Sequence, residues 1–148
     1  RGRFSRYAPL ILWAGIVLFA STGNASMAQT SRFIRPLLEF LFPHTSENTL
    51  QIYHFYIRKA AHLTEYAILA FWATRAFANS AKPFLRKYWF IAAFILVLTV
   101  ASTDEFNQSF DPSRTGSAWD VLLDCTGGLT MIVLFAIFRT VRQKPKEI

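Results

Sequence analysis

Long apolar segments separated by short polar ones dominate this chain, and they predict membrane-spanning helices. About 17–25 apolar residues are enough for an α-helix to cross the hydrocarbon layer of a bilayer. Four segments have that length, although the second carries several charged residues in its first half. We therefore predict an all-α integral membrane bundle that forms a single domain over residues 1–148. The predicted spans lie at about residues 7–23, 52–77, 88–108 and 119–139.

The first span has a second interpretation, as a cleaved signal peptide. Basic residues precede a short apolar stretch, and Ser26-Met27-Ala28 resembles a cleavage site. Because the chain begins before this segment, we expect the segment to be retained as an anchor. The chain does not start with Met, so we also expect one or more residues before Arg1.

Between the first two predicted spans, apolar side chains recur at helical spacing beside Arg32, Arg35 and Glu39. This pattern predicts a short amphipathic helix that ends near Pro43. Two placements are open: the helix lies on the outer membrane surface, or it packs over the other spans. Its apolar positions are Phe33, Ile34, Leu37, Leu38, Leu41 and Phe42.

The composition supports a membrane protein and excludes several other classes. Hydrophobic residues make up 53% of the chain, aromatic residues 16% and charged residues only 17%. An intrinsically disordered chain is poor in aromatic residues and rich in charge. The single cysteine, Cys125, excludes an internal disulfide, a four-cysteine zinc site and an iron–sulfur cluster made by this chain alone.

The net charge of the chain is +7, and the positions of its basic residues indicate the membrane topology. Basic residues cluster at both ends and in the link between the second and third spans, with Glu147 as the opposing acid. Because basic loops mark the cytoplasmic side, we predict that both termini are cytoplasmic, in a bacterial inner membrane. We expect no nucleic-acid partner, since that requires a continuous basic stripe on a soluble surface. The cytoplasmic group contains Arg1, Arg3, Arg6, Lys82, Arg86, Lys87, Arg139, Arg142, Lys144 and Lys146.

Polar residues inside the predicted spans gather near one end of three helices. Ionisable side chains at membrane depth are costly and normally face the bundle interior with a partner. On the second span, Lys59, His62 and Tyr66 share a helical face, and Glu65 lies about 60° further round. The later part of the chain contributes Asp104, Glu105, Gln108, Arg114, Asp120 and Asp124.

Two interpretations of this polar set are open. In the functional one, Lys59 and Arg114 bind a phosphate or carboxylate in a pocket at the outer face, and His62 transfers a proton. In the structural one, the charges neutralise each other and lock the helix ends together, although buried ion pairs add little stability. Gly127 and Gly128 would let a neighbouring helix approach closely. The candidate catalytic residues are His62, Asp104, Glu105 and Asp120, and the candidate substrate-binding residues are Lys59, Glu65, Tyr66, Gln108, Arg114 and Asp124.

Three stretches of this set resemble the VanZ-like family. RKAAHLTEY over residues 58–66, DEFNQ over 104–108 and DVLLDCTGG over 120–128 occur in that order, with Arg114 before the last. The family has a Lys-x-x-His-x-x-x-Tyr stretch, an Asp-Glu-x-x-Gln stretch and an Arg…Asp-x-x-x-Asn/Asp-x-x-Gly stretch, and it is named for an accessory protein in teicoplanin resistance. The resemblance implies a small membrane protein of about four helices and a residue set, without naming a reaction. Asp124 stands where many relatives carry Asn, which adds a charge.

We predict that the protein binds or modifies a lipid headgroup or a lipid-linked envelope precursor. Cys125 has no evident base nearby in the sequence, so covalent acyl chemistry is unsupported. No cofactor is predicted, because the spacing matches no recognised metal-ligand motif, although one histidine with several carboxylates is able to hold a divalent cation. The alternative is a non-catalytic accessory subunit of a larger membrane protein complex, in which the charged cluster is structural.

Overall fold

The computed structural model describes residues 3–21, 27–110 and 117–143, and the regular structure within these ranges is entirely helical. The prediction of an all-α protein is therefore confirmed. Helices α2 and α3 are joined by a short turn at Phe42–Ser46, and the hydroxyl of Ser46 caps α3 by accepting a hydrogen bond from the backbone N–H of Thr49. The helices are α1 (Arg3–Ser21), α2 (Met27–Leu41), α3 (Glu47–Ala78), α4 (Pro83–Lys87), α5 (Trp89–Gln108) and α6 (Ala118–Gln143).

Among the described residues, three helices are long and apolar enough to cross a membrane, judged by length and composition. The candidate spans are Phe4–Ser21 in α1, Trp89–Gln108 in α5 and Ala118–Arg142 in α6. Helix α3 contains the predicted second span and is the longest, with 32 residues over about 48 Å. The charged residues in the first half of α3 lower its hydropathy, so the membrane span at residues 52–77 stays a prediction.

The four long helices alternate in direction. At one end of the bundle, the hydroxyl of Tyr7 at the start of α1 lies 2.8 Å from that of Ser80, just after α3. At the other end, Ser21 at the end of α1 donates a hydrogen bond of 3.2 Å to the backbone carbonyl of Asp104 near the end of α5. Close pairs between α3 and α6 advance along both helices together, as Lys59 with Asp120 and His62 with Asp124 show. Helices α1 and α5 therefore run opposite to α3 and α6.

Helix α3 is the central helix, because it contacts all five of the other helices. Its buried face is made largely of small side chains, including Ala70, Ala73 and Ala76, and α5 presents Ala93 and Ala101 to the same core. Small residues let helices approach closely where lipid provides no hydrophobic drive for their association. This central position explains how a helix with a charged first half stays within the bundle: its polar side chains face neighbouring helices.

Two adjacent glycines set how closely α6 packs against its neighbours. A Cβ on Gly127 would lie 2.2 Å from the backbone carbonyl oxygen of Leu63 in α3. A Cβ on Gly128 would lie 2.6 Å from a methyl carbon of Val97 in α5. The two glycines face different helices, so α6 fits tightly against α3 and α5 at the same level.

Helix α2 packs on the first half of α3 and keeps a largely apolar outer face. Leu38 is buried, whereas Phe33 and Phe40 are exposed. The guanidinium of Arg35 bridges Glu39 and Glu47, each at 2.8 Å. The hydrogen bond that Arg35 donates to Glu39, supported by the charge of Glu47, raises the pKa of Arg35. The helix ends at Leu41, just before Pro43, and it packs on α3 with Leu38 buried.

Candidate functional site

One histidine and two aspartates from three different helices meet at one point inside the bundle. His62 of α3, Asp104 of α5 and Asp124 of α6 each offer one nitrogen or oxygen atom, and these atoms lie within 4.8 Å of one another. We call these residues the carboxylate–histidine triad. Asp124 is 0% exposed and Asp104 is 3% exposed, whereas the His62 side chain keeps 23% of its surface. The triad is therefore reached past the imidazole edge of His62.

Asp104 is held by donors on two helices. The hydroxyl of Tyr66, which is fully buried, donates to Asp104 Oδ2 at 3.0 Å. The side-chain amide of Gln108, one turn further along α5, donates to Asp104 Oδ1 at 2.8 Å. Among the described residues, each carboxylate oxygen of Asp104 thus has one donor, and an oxygen of this kind can accept a second hydrogen bond. Hydrogen bonds of this kind fix the orientation of a carboxylate within the bundle.

Asp124 is bonded differently. Its Oδ1 lies 3.5 Å from His62 Nδ1, and within the described ranges neither carboxylate oxygen of Asp124 has a hydrogen-bond partner. Nδ1 of His62 also lacks one in the same part of the chain. Burying a carboxylate without hydrogen bonds costs several kcal/mol, so Asp124 is the most poorly satisfied side chain of the triad.

Lys59 and Asp120 form an ion pair one helical turn away from the triad. The Lys59 ammonium contacts Asp120 Oδ1, and it also lies 5.3 Å from the centre of the Phe55 ring. The two side chains are 29% and 26% exposed, so this pair is open to solutes. Because α3 and α6 run in the same direction, the pair is stacked about 5–6 Å from His62 and Asp124 along the helices.

Glu105 is next to Asp104 in α5, and its carboxylate binds the backbone just before the start of α6. Its Oε2 accepts a hydrogen bond of 2.8 Å from the backbone N–H of Ser117, one residue before α6 begins. This acceptor satisfies one of the free N–H groups at a helix start and suits the positive end of the helix dipole. The contact gives Glu105 a structural task in positioning Asp120 and Asp124, and its predicted catalytic role stays a prediction.

Two of the predicted site residues are not brought into these contacts. Arg114 lies outside the described residues. The Glu65 carboxylate interacts electrostatically with His62, Asp104 and Asp124, but in the portion of the chain described it makes no hydrogen bond. The backbone carbonyl of Glu65 accepts a hydrogen bond of 3.0 Å from the indole N–H of Trp13. The roles predicted for both residues in substrate binding stay predictions.

A cavity of about 480 Å³ lies between α2 and α3, next to the Lys59–Asp120 pair. Phe55 belongs to the cavity wall and also lies under the ammonium of Lys59, so the cavity and the ion pair border the same ring. The wall mixes apolar and polar side chains, which suits an amphiphilic ligand. The lining residues are Arg35, Leu38, Glu47, Leu50, Gln51, His54 and Phe55.

The comparison with protein families decides what kind of protein carries these residues. The sequence model of the VanZ/LLP1 family matches residues 7–139, which include all the helices that form the site. The chain belongs to the VanZ/LLP1 family. The predicted resemblance is thereby confirmed, as is the multi-pass membrane character that the apolar helices indicate. Searches of curated proteins and of solved structures found no match.

Sequence reasoning missed three contributors to the site of this VanZ/LLP1 protein. Ser21 holds the backbone at Asp104, Ser117 holds Glu105, and Trp13 holds the backbone at Glu65. Two of them come from α1, which looked like a plain apolar span. All three act through single hydrogen bonds between helices or to a loop, and no spacing within one segment signals such a contact.

Proposed function

We propose that this VanZ/LLP1 protein crosses the bacterial inner membrane four times, with both termini in the cytoplasm, and binds the headgroup of a membrane lipid or a lipid-linked envelope precursor at the outer face. The single observation that carries the binding proposal is the solvent-open Lys59–Asp120 pair, which borders the same Phe55 ring as an amphiphilic cavity.

The end of the bundle opposite the triad supports the orientation. Arg75 lies over the ring of Trp72 at 5.3 Å, and Arg139 lies over the ring of Trp89 at 5.9 Å. Arginine and tryptophan concentrate at membrane interfaces, and basic residues favour the cytoplasmic one. Helical rise places His62 about 20 Å from Arg75, and Asp124 about 22 Å from Arg139. In a hydrocarbon layer of about 30 Å, the triad then lies towards the outer side.

The cavity supplies both parts of an amphiphile site. Leu38, Leu50 and Phe55 offer apolar surface to the upper part of a lipid chain. Arg35 and Lys59 offer cations to a phosphate, the first as a fork of donors and the second as a point charge. Their present partners are carboxylates on exposed or half-exposed side chains, and a phosphate is able to compete for such cations because surface ion pairs are weak.

The position of the cavity also fits a lipid that enters from the side. Helix α2 carries exposed aromatic side chains next to the cavity, and Tyr56 and Ile57 of α3 are exposed on the same half of the bundle. Apolar side chains that face outward beside a polar opening suit a ligand whose chains remain in the bilayer while its headgroup enters the protein.

The proposal is tested with undecaprenyl phosphate and phosphatidylcholine as probes, added to the purified protein in detergent and followed by native mass spectrometry. We expect one undecaprenyl phosphate per chain and at least about tenfold weaker binding by Lys59→Gln and Arg35→Gln. That loss corresponds to about 1.4 kcal/mol, in the range of a single charge-assisted contact. Phosphatidylcholine carries a choline cation on its phosphate, whereas undecaprenyl phosphate does not. Comparing the two lipids therefore tests whether the site requires a phosphate without a neighbouring cation.

The matched control is Lys87→Gln, which removes the same charge from an exposed site at the opposite end of the bundle. It should bind the probe as the wild type does. Equal binding by Lys59→Gln and Lys87→Gln would contradict the proposal. Recovery of the wild type only in a fixed ratio with another membrane protein, and without lipid, would favour the accessory-subunit alternative.

A further inference from the structure

The carboxylate–histidine triad has the donor types of a metal site. One imidazole and two carboxylates converge from three different helices, with donor atoms within 4.8 Å of one another. Imidazole nitrogen and carboxylate oxygen together suit first-row divalent cations such as Zn²⁺. Three protein ligands also leave a fourth coordination position open, as in catalytic zinc sites.

An independent observation points to a missing ligand at Asp124. This side chain is 0% exposed, and both of its carboxylate oxygens lack a hydrogen-bond partner within the described residues. Lys59, the nearest lysine along α3, is engaged one turn away by Asp120. Among the described residues, the imidazole of His62 is the basic group placed against Asp124, at 3.5 Å and without a hydrogen bond. The described part of the site therefore holds more negative charge than its own side chains balance.

Neighbouring side chains and close helix packing hold the residues of the triad in place. Metal-binding carboxylates are usually oriented by hydrogen bonds from a second layer of side chains. Tyr66 and Gln108 provide them to Asp104 at 3.0 and 2.8 Å. The close contact at Gly127 holds α6 against Leu63, the residue after His62, and so fixes the distance between His62 and Asp124.

We propose that His62, Asp104 and Asp124 bind one Zn²⁺ ion, which links α3, α5 and α6. Ligands of tetrahedral zinc stand about 3.4 Å apart, as follows from bond lengths of about 2.0–2.1 Å. A donor separation of 4.8 Å therefore shortens by about 1.4 Å on binding, a change within the reach of side-chain rotation at both residues. This inference rests on the triad alone and is independent of the proposed lipid site.

The proposal is tested on full-length protein in detergent, treated with EDTA, dialysed and titrated with ZnCl₂ in a calorimeter, with no lipid added. We expect one Zn²⁺ per chain, and X-ray absorption of the loaded protein should show a first shell of nitrogen and oxygen with one imidazole. Asp124→Asn and His62→Gln should each bind Zn²⁺ at least about tenfold more weakly, since each removes a ligand. Zn²⁺ should also raise the melting temperature of the wild type and not that of Asp124→Asn.

The matched control is Asp120→Asn, which makes the same chemical change on the same helix one turn away from the triad. It should keep the 1:1 binding. A wild type that binds no Zn²⁺ at micromolar concentration overturns the proposal, as does a first shell without imidazole; neither result depends on the folding of a variant. Equal Zn²⁺ affinity for Asp120→Asn and Asp124→Asn overturns it too. If lipid binding fails while Zn²⁺ binds, only the function proposed above is rejected.

Discussion

Tyr66 shows how one side chain connects packing with the polar site. It is the largest fully buried side chain of the described bundle, and its ring lies among the small core residues of α3 and α5. Its hydroxyl donates to Asp104, so the same residue fills the core and orients a carboxylate. Sequence placed Tyr66 on the face of Lys59 and His62, but periodicity within α3 contains no information about its acceptor on α5.

We predict that Tyr66→Phe lowers the free energy of unfolding by about 1.5–3 kcal/mol, the range for hydrogen bonds to charged groups. The substitution keeps the ring and leaves Asp104 Oδ2 without a donor in a buried position. Equilibrium unfolding in mixed micelles measures the change. Tyr56→Phe is the matched control, because Tyr56 is exposed, and it should shift the free energy by less than about 0.5 kcal/mol. Equal effects of the two variants would show that the Tyr66 hydrogen bond contributes no stability.

At the scale of the helices, Gly127 and Gly128 let α6 pack closely against both α3 and α5. Gly127 meets a backbone carbonyl of α3, and Gly128 meets a side chain of α5. A backbone atom moves only if the whole helix moves, whereas Val97 is able to rotate or shift slightly. The Gly-Gly pair could be predicted from sequence as a packing site; which neighbour faces each glycine could not, because that depends on the rotation of α6 about its axis.

We therefore predict unequal effects of alanine at these positions. Gly127→Ala should destabilise the protein by about 1–3 kcal/mol, the range for overpacking, and Gly128→Ala by less. Because α6 then moves away from α3, Gly127→Ala should also weaken Zn²⁺ binding. Thermal unfolding in detergent, with and without ZnCl₂, measures both effects.

Gly15→Ala serves as the control, since a Cβ at Gly15 meets no heavy atom within 4 Å. It should be neutral or slightly stabilising, because alanine is the better helix former. A Gly127→Ala protein as stable as Gly15→Ala would mean that the contact between α3 and α6 is looser than the structure shows.

For the whole molecule, the alternating directions of α1, α3, α5 and α6 bring the basic residues of the helix ends to one side and the acidic ones to the other. Lys82 lies at the basic end, and Ser109 follows α5 at the acidic end. Both are exposed. The proposed topology places these two positions on opposite sides of the membrane.

Cysteine labelling checks that placement. In a Cys125→Ala background, an impermeant maleimide should label Ser109→Cys in intact spheroplasts, and Lys82→Cys only after lysis. The Cys125→Ala protein itself should remain unlabelled. The reverse pattern would invert the orientation, and labelling of both positions from one side would exclude α5 as a single crossing.

The amino-acid sequence by itself determined the helical class, the apolar spans, the family and the shared face of Lys59, His62 and Tyr66, because helical periodicity is a local property of a segment. Tertiary structure alone decided that Asp104 takes its hydrogen bonds from Tyr66 and Gln108, that Asp124 is left without one in the described bundle, and that the backbone carbonyl of Glu65 accepts from Trp13. These outcomes depend on the position of each helix along its axis and on its rotation about that axis, relative to its neighbours. Contacts between small residues far apart in the chain set those two quantities, so no single segment encodes them.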